Sequence, residues 1–292
     1  MAIIPPFFMD AVVALGIDVP NKGKHWVGTG FLVGRKEETD PTKSTVYIIT
    51  NKHVVKNQKL LSVRFNNSGT AGVKDLPMPL VDASNMPIFS AHPAKAVDVV
   101  AIQIIPQVIL DNKLSLSFFD LNAHALVLER MKTTGVDEGS LVYALGFPMN
   151  LVDDSVKAPI CRLGCISRVA DAFVNPQTAE QFLVDAQTFP GNSGGPIVSR
   201  PEHISIDGTP HNTSANLIGI LSAYIPYGET LYSRQTGRNR MIQEENSGLT
   251  IVHPVDRIKE VVELEWKRVE AKKASLEGQS MGANPEKEEV SV

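Results

Sequence analysis

Between two apolar runs, Phe182-Leu183-Val184 and Ile197-Val198, lies the octet Phe189-Pro190-Gly191-Asn192-Ser193-Gly194-Gly195-Pro196. Glycine opens backbone angles closed to other residues. A tight loop of this kind can aim successive N–H groups at one point and lift the Ser193 hydroxyl clear of its own main chain. A nucleophile beside an oxyanion hole needs both. The hydroxyl also needs a base to take its proton. His53 directly follows the apolar run 45–50, and an imidazole, with an ordinary pKa of about 6.5, suits that task. The imidazole in turn needs an acceptor for its other N–H, which fixes its tautomer and stabilises its protonated form. Asp98 is a carboxylate set inside the apolar run 96–104, where it must be paired or solvated. Taken singly, these residues are a glycine-rich turn, a surface or core histidine, and an acid paired with a nearby base. Their joint occurrence, in the order His53, Asp98, Ser193, is what favours chemistry. The other six histidines (His25, His92, His124, His203, His211, His253) lie in weak contexts and receive no role.

The elements that must position these residues read as short strands. Apolar or alternating runs at 11–17, 26–34, 45–50, 60–65 and 96–104 make up the first half, with weaker signals at 80–81 and 88–89. Residues 66–72 form a turn cluster, and 107–139 a mixed connector that separates two halves. The second half carries runs at 140–148, 160–169, 181–185, 196–199, 217–224 and 249–252. A long polar insertion occupies 226–248. Close spacing with turn signals between the strands points to an all-β barrel or sandwich. The exception is the C-terminus. Pro254 suits a first helical turn, Val255, Ile258, Val262, Trp266 and Val269 fall at helical spacing, and Gly278 is expected to stop the helix. The expected organisation is 1–126, carrying His53 and Asp98, then 127–253, carrying Ser193, then a helix over 254–277 and a charged, disordered tail over 278–292.

Composition bounds the partners. The 292 residues are 43% apolar and 21% charged with a net charge of −4, and no basic block favours nucleic acid. No run of 18 apolar residues predicts a membrane span. The apolar N-terminus has no basic residue before it and is interrupted by Pro5-Pro6 and Asp10, so it does not read as an export signal. Cys161 and Cys165, on one face of a strand, would sit roughly 13 Å apart, too far for a disulfide. A reducing, cytoplasmic location is the expectation, and there the sequons at Asn66 and Asn212 carry no meaning. Zinc-like ligand spacing and phosphate-cradling loops are absent, so no metal and no cofactor is implied.

The segments Gly28-Thr29-Gly30-Phe31-Leu32-Val33, Ile49-Thr50-Asn51-Lys52-His53-Val54-Val55, Asp98-Val99-Val100-Ala101-Ile102 and Pro190 to Pro196 together resemble the trypsin/chymotrypsin-like serine proteases, within them the HtrA-type branch. Leu217-Ile218-Gly219-Ile220 and Gly248 to Pro254 are similar to that branch as well. The resemblance covers residues 11 to 265. It implies two packed antiparallel β-barrels (chymotrypsin-like) with a C-terminal helix, and a cleft between the barrels where His53 and Asp98 meet Ser193. It implies an oxyanion hole from the N–H groups of Gly191 and Ser193. It implies a substrate-pairing strand at Ser222-Ala223-Tyr224, and a specificity pocket lined by Gln187, Thr188 and Phe189 with Ala223 and Tyr224 near its wall. Neutral Gln187 stands where trypsin-like members hold an acid, which predicts cleavage after uncharged, small to medium apolar residues of a polypeptide substrate.

Two features depart from the pattern. Asn192 replaces the aspartate that pairs with a freshly cut N-terminus in secreted members, so other loops must order the site. Only about 38 residues follow Pro254, too few for the peptide-binding (PDZ) domain usual in HtrA-type members. Substrate delivery then falls to loops, the C-terminal helix or a separate protein partner or activator. A pseudoprotease scaffold is the weaker alternative, because none of the three residues is lost. An α/β-hydrolase esterase is weaker still, because that fold needs a helix after the serine and its histidine last in the chain.

Overall fold

The computed structural model describes residues 4–202, 210 and 212–281. A short helix α1 (Pro6–Asp10) leads into β1 (Val12–Val19), β2 (Gly23–Lys36) and β3 (Ser44–Thr50). Helix α2 (Lys52–Val55), strands β4 (Leu60–Asn66), β5 (Val73–Pro79), β6 (Ser90–Ala91) and β7 (Val100–Ile104), and helix α3 (Pro106–Asp111) follow. Strand β8 (Phe119–Asp120) and helix α4 (Leu128–Thr134) lead to the second half. That half comprises β9 (Leu141–Gly146), β10 (Ile160–Arg168), α5 (Ala170–Val174), β11 (Phe182–Asp185), β12 (Pro196–Ser199), β13 (Leu217–Tyr232) and β14 (Asn239–Pro254). Helix α6 (Val255–Met281) ends the described chain.

The second half closes into a barrel in the order β10-β11-β14-β13-β12-β9. The first half is an eight-stranded sheet running β5-β4-β1-β2-β3-β7-β6, with β8 added in parallel to β2. Its hydrogen-bonded path ends at β5 and β6 and does not close. The chemistry of those two edges accounts for this: β5 contains Pro77 and Pro79, which have no N–H to donate, and β6 has only two residues. The mostly β architecture with a C-terminal helix is the one that the sequence resemblance implies.

One buried cluster ties the halves together. Phe31, Tyr47 and Val99 from the first half pack in it with Leu145, Phe147, Val198 and Ile220 from the second. Helix α6 seals it with Val255, Ile258, Val261 and Val262, all fully buried. Burying side chains of this size stabilises by about 1.5–3 kcal/mol each, so α6 is an integral brace of the two-part core. It is fixed laterally as well. Arg35 bonds Glu263 at 2.6 Å and stacks 4.1 Å from the Trp266 ring.

Several expectations are corrected. Residues 226–248 are no irregular insertion: they are the outer parts of β13 and β14, a ladder pairing Pro226 with Asn246 through Tyr232 with Asn239. The arm is exposed on both faces, so its sequence lacks the period-2 alternation that marks a half-buried strand. The expected strand over 96–104 is regular only at 100–104, so Asp98 precedes β7 and does not interrupt it. The pairs 80–81 and 88–89 are not strands; Val81 makes a single bridge to Pro87. Strand β5, in a stretch to which the sequence assigns no element, pairs with β4 along its whole length. Helix α6 passes through Gly278 to Met281; a helical glycine costs only about 1 kcal/mol and need not end the helix. Residues 282–292, most of the expected tail, lie outside the described residues, as do His203 and His211.

Candidate active site

Strand β3 delivers His53. It ends at Thr50, and Asn51 turns the chain into α2 with His53 as its second residue. The Asn51 amide is fully buried and donates to the Asp98 carbonyl at 2.6 Å. That bond holds the segment before β7 against the start of α2. The carboxylate of Asp98 then lies 2.5 Å from His53 Nδ1 and accepts the His53 backbone N–H at 3.2 Å. With Nδ1 donating to Asp98, Nε2 is left as the acceptor on the open side of the ring.

Two residues of the second half reach across to the same acid. The Ser222 hydroxyl donates to Asp98 Oδ2 at 3.1 Å. The Asp98 backbone N–H donates to His253 Nε2 at 3.0 Å, and His253 Nδ1 donates to the Glu180 carbonyl at 2.7 Å. Burial works to raise the Asp98 pKa, but the hydrogen bonds and charge of His53, with Ser222 behind them, outweigh it and hold the carboxyl below its ordinary 3.8. Burial pushes His253 below its usual imidazole range, and both of its ring nitrogens are committed as a neutral tautomer requires. Sequence reasoning passed His253 over. Its context is an apolar strand end, and its partner lies 155 positions away.

Ser193 lies in the loop between β11 and β12. The N–H groups of Asn192, Gly194 and Gly195 are committed to the carbonyls of Phe189, Leu221 and Asn192. Those of Gly191 and Ser193, the two expected at an oxyanion hole, donate no hydrogen bond among the described residues. Gly191 has φ +99° and Gly194 φ +86°, values that side-chain-bearing residues rarely adopt. A Cβ at Gly194 would come 2.1 Å from the Thr29 carbonyl oxygen.

Thr29 is the clamp on this loop. It comes from β2 in the first half and is fully buried. Its N–H donates to the Ser193 carbonyl at 2.9 Å. Its hydroxyl donates to the Gly191 carbonyl at 2.6 Å and accepts the Phe147 N–H at 3.0 Å. Met149 N–H adds a bond to the Pro190 carbonyl at 2.7 Å. Asn192 is buried beneath the loop.

His53 and Ser193 line one cavity of about 400 Å³ with Thr188, Phe189, Ser222, Ala223 and Tyr224. No hydrogen bond joins His53 Nε2 to the Ser193 hydroxyl among the described residues. Gln187 is exposed and forms no part of this wall, because the chain alternates through buried Ala186, outward Gln187 and buried Thr188. Behind the wall, the Thr188 hydroxyl meets that of Thr250 at 2.9 Å, and Thr250 donates to the Ala186 carbonyl. Thr250 was not legible as a support of this wall, since only the pairing of β14 with β11 and β13 brings it there. The arrangement can position a nucleophilic hydroxyl, an imidazole oriented by a carboxylate, and two free N–H donors around one small, mainly neutral cavity.

The profile of the trypsin-like peptidase domain matches residues 28–203, more than half of the chain. No curated protein matches it by sequence. Among solved structures, the serine endoprotease from Yersinia pestis is 18% identical with a TM-score of 0.47, the match covering 88% of this chain and 63% of that one. The inactive form of the Rv3671c protease is 16% identical with a TM-score of 0.44, covering 87% of this chain and 88% of that one.

Proposed function

The chain belongs to the trypsin-like peptidase family, and from that premise we propose that it is a serine endopeptidase using Ser193 as nucleophile, His53 as general base and Asp98 as its orienting acid. The observation that carries this reading is the 2.5 Å pairing of His53 with Asp98 at the wall of the cavity that Ser193 also lines. The Ser193 oxygen attacks the scissile carbonyl carbon while His53 Nε2 takes its proton. The carbonyl oxygen becomes an oxyanion held by the N–H groups of Gly191 and Ser193. On collapse, the C–N bond breaks and the leaving amine takes the proton from His53, leaving an acyl-serine. Water then repeats the sequence and frees the acid. Asp98 stays ionised throughout and stabilises the protonated imidazole.

In this reading, residues 1–126 supply base and acid and 127–253 the nucleophile. Ser222-Ala223-Tyr224, partway along β13 where the arm begins, pairs with the substrate backbone. The neutral wall of Thr188, Phe189, Ala223 and Tyr224, backed by Thr250, favours uncharged, small to medium apolar side chains before the scissile bond. Both cysteines are free thiols, which supports a reducing, cytoplasmic location. No described helix is long and apolar enough to cross a membrane, which says nothing of β-barrel insertion.

The test is covalent labelling with a fluorophosphonate, read by mass spectrometry, beside peptidase turnover. Labelling is expected at Ser193, and Ser193→Ala is expected to lower turnover by on the order of 10⁴-fold. A folded wild-type protein that takes no label would overturn the reading and leave a peptide-binding scaffold.

A further inference from the structure

The exposed arm formed by the outer parts of β13 and β14 brings a charge to the cavity that the peptidase reading does not use. We propose that Glu244 selects a cationic side chain, Lys or Arg, about four residues to the N-terminal side of the bond that is cut. The inference rests on the proposed pairing of substrate with Ser222-Ala223-Tyr224.

Direction comes from the strand. The point of β13 nearest the proposed catalytic residues is marked by Ser222, whose hydroxyl bonds Asp98. A peptide lying antiparallel to β13, with its scissile carbonyl at Ser193, runs toward its own N-terminus as β13 runs from Ser222 to Pro226. Pro226 lies four residues on, roughly 13 Å at ~3.3 Å each, and Glu244, on the row of Gly228 two residues further, lines the cavity together with Pro226. Pro226 has no N–H, so it offers the peptide no backbone donor there. Only its carbonyl is left to pair with the peptide backbone, so side chains carry more of the recognition at that distance.

Glu244 is the side chain available. It lines the same cavity as His53, Ser193, Tyr224 and Pro226, and is the single carboxylate of that wall among the described residues. Across the ladder it is paired with Gly228, which has no side chain to oppose it. Its remaining neighbours on that face are Pro226 with its partner Asn246, and Thr230 with its partner Ile242, none of them cationic. Asn246 is itself turned to the Thr188 carbonyl at 2.6 Å. The exposed carboxylate thus lies at the rim of the cavity without a cation beside it on its own face. A substrate lysine or arginine would complete the pair. An exposed pair of this kind is worth about 0.2–1 kcal/mol, some 1.4- to 5-fold in rate, and weakens with salt.

The experiment uses the full chain and a library of N-acetylated peptides that vary only at positions upstream of the scissile bond. Wild type is expected to cleave peptides with Lys or Arg three to five residues upstream roughly 2- to 5-fold faster, in kcat/KM, than those with Ala or Gln. The ratio should fall toward 1 in Glu244→Gln, should invert toward Glu- or Asp-containing peptides in Glu244→Lys, and should shrink at 0.5 M salt. Cleavage with no upstream preference, or a preference that survives Glu244→Gln, overturns the role of Glu244 and leaves the peptidase reading intact. A wild type that cleaves no peptide and takes no fluorophosphonate label overturns both.

Discussion

On the His53–Asp98 side of the cleft, the groups that reach over from the other half are side chains: the Ser222 hydroxyl on the carboxylate and the His253 ring on the Asp98 backbone. On the Ser193 side, the group that reaches over is Thr29, and it holds backbone carbonyls in a loop whose glycines leave no room for a Cβ. Each half thus fixes the candidate reactive group of the other, but by different means. A titratable, side-chain-built anchor responds to pH, whereas a backbone-and-glycine anchor responds to volume. A base must be free to gain and lose a proton. An oxyanion site must hold two N–H groups still.

Volume on the Ser193 side should give the largest effect. Gly194→Ala sets a Cβ 2.1 Å from the Thr29 oxygen at a φ of +86°, and the loop must shift or the protein must loosen. We expect destabilisation by more than about 3 kcal/mol and loss of fluorophosphonate labelling, measured by thermal melting and mass spectrometry. Unchanged labelling would show that the loop is not set by this contact.

Thr29→Val, nearly equal in volume, removes only the hydroxyl. It strips the Gly191 carbonyl and the Phe147 N–H of one bond each. Unpaired buried groups cost about 1–3 kcal/mol each. We expect labelling to slow roughly 10- to 100-fold, with kcat falling more than KM. A change confined to KM would contradict an oxyanion-positioning role.

The smallest effect belongs to the other side and should carry a pH signature. Burial keeps the folded-state pKa of His253 below the ordinary 6.5. Below pH 6.5 the unfolded chain then binds a proton that the folded chain does not, so stability falls as pH drops through that range. Asp98, His92 and Lys52 act on the ring, as does the hydrogen bond to the Glu180 carbonyl. His253→Phe removes the acceptor of the Asp98 N–H, so we expect a loss of about 1–3 kcal/mol at pH 8 and a shallower loss of stability from pH 7 to 5. His124, also lowered by burial, keeps the slope from vanishing. Denaturant melts across that range make the measurement, and an unaltered slope would remove His253 from the anchor.

The octet around Ser193, the His53 segment and Asp98 were legible because their chemistry is local: glycines, a proline, and a charge in an apolar run. The C-terminal stripe was legible too, and Val255, Ile258 and Val262 are buried. The outer arm was not, because a ladder solvated on both faces leaves no alternation to read. Glu244 went unnoticed with it. Gln187 was placed in the wall by analogy of position, but a single step of chain alternation turned it outward and brought Thr188 inward. His253 and Thr250 gave no signal, since what each does depends on a partner more than 60 positions away.

By itself, the order of residues determined which groups could do chemistry and which stretches must be extended, because those depend on side-chain chemistry and on short-range backbone freedom. Only the tertiary structure decided which half anchors which group, that the second sheet closes and the first does not, and that one carboxylate of the arm turns to the cavity. Those outcomes depend on contacts between residues far apart in the chain. Such contacts leave no local pattern, because a hydrogen bond across the cleft asks nothing of the residues on either side of its partners.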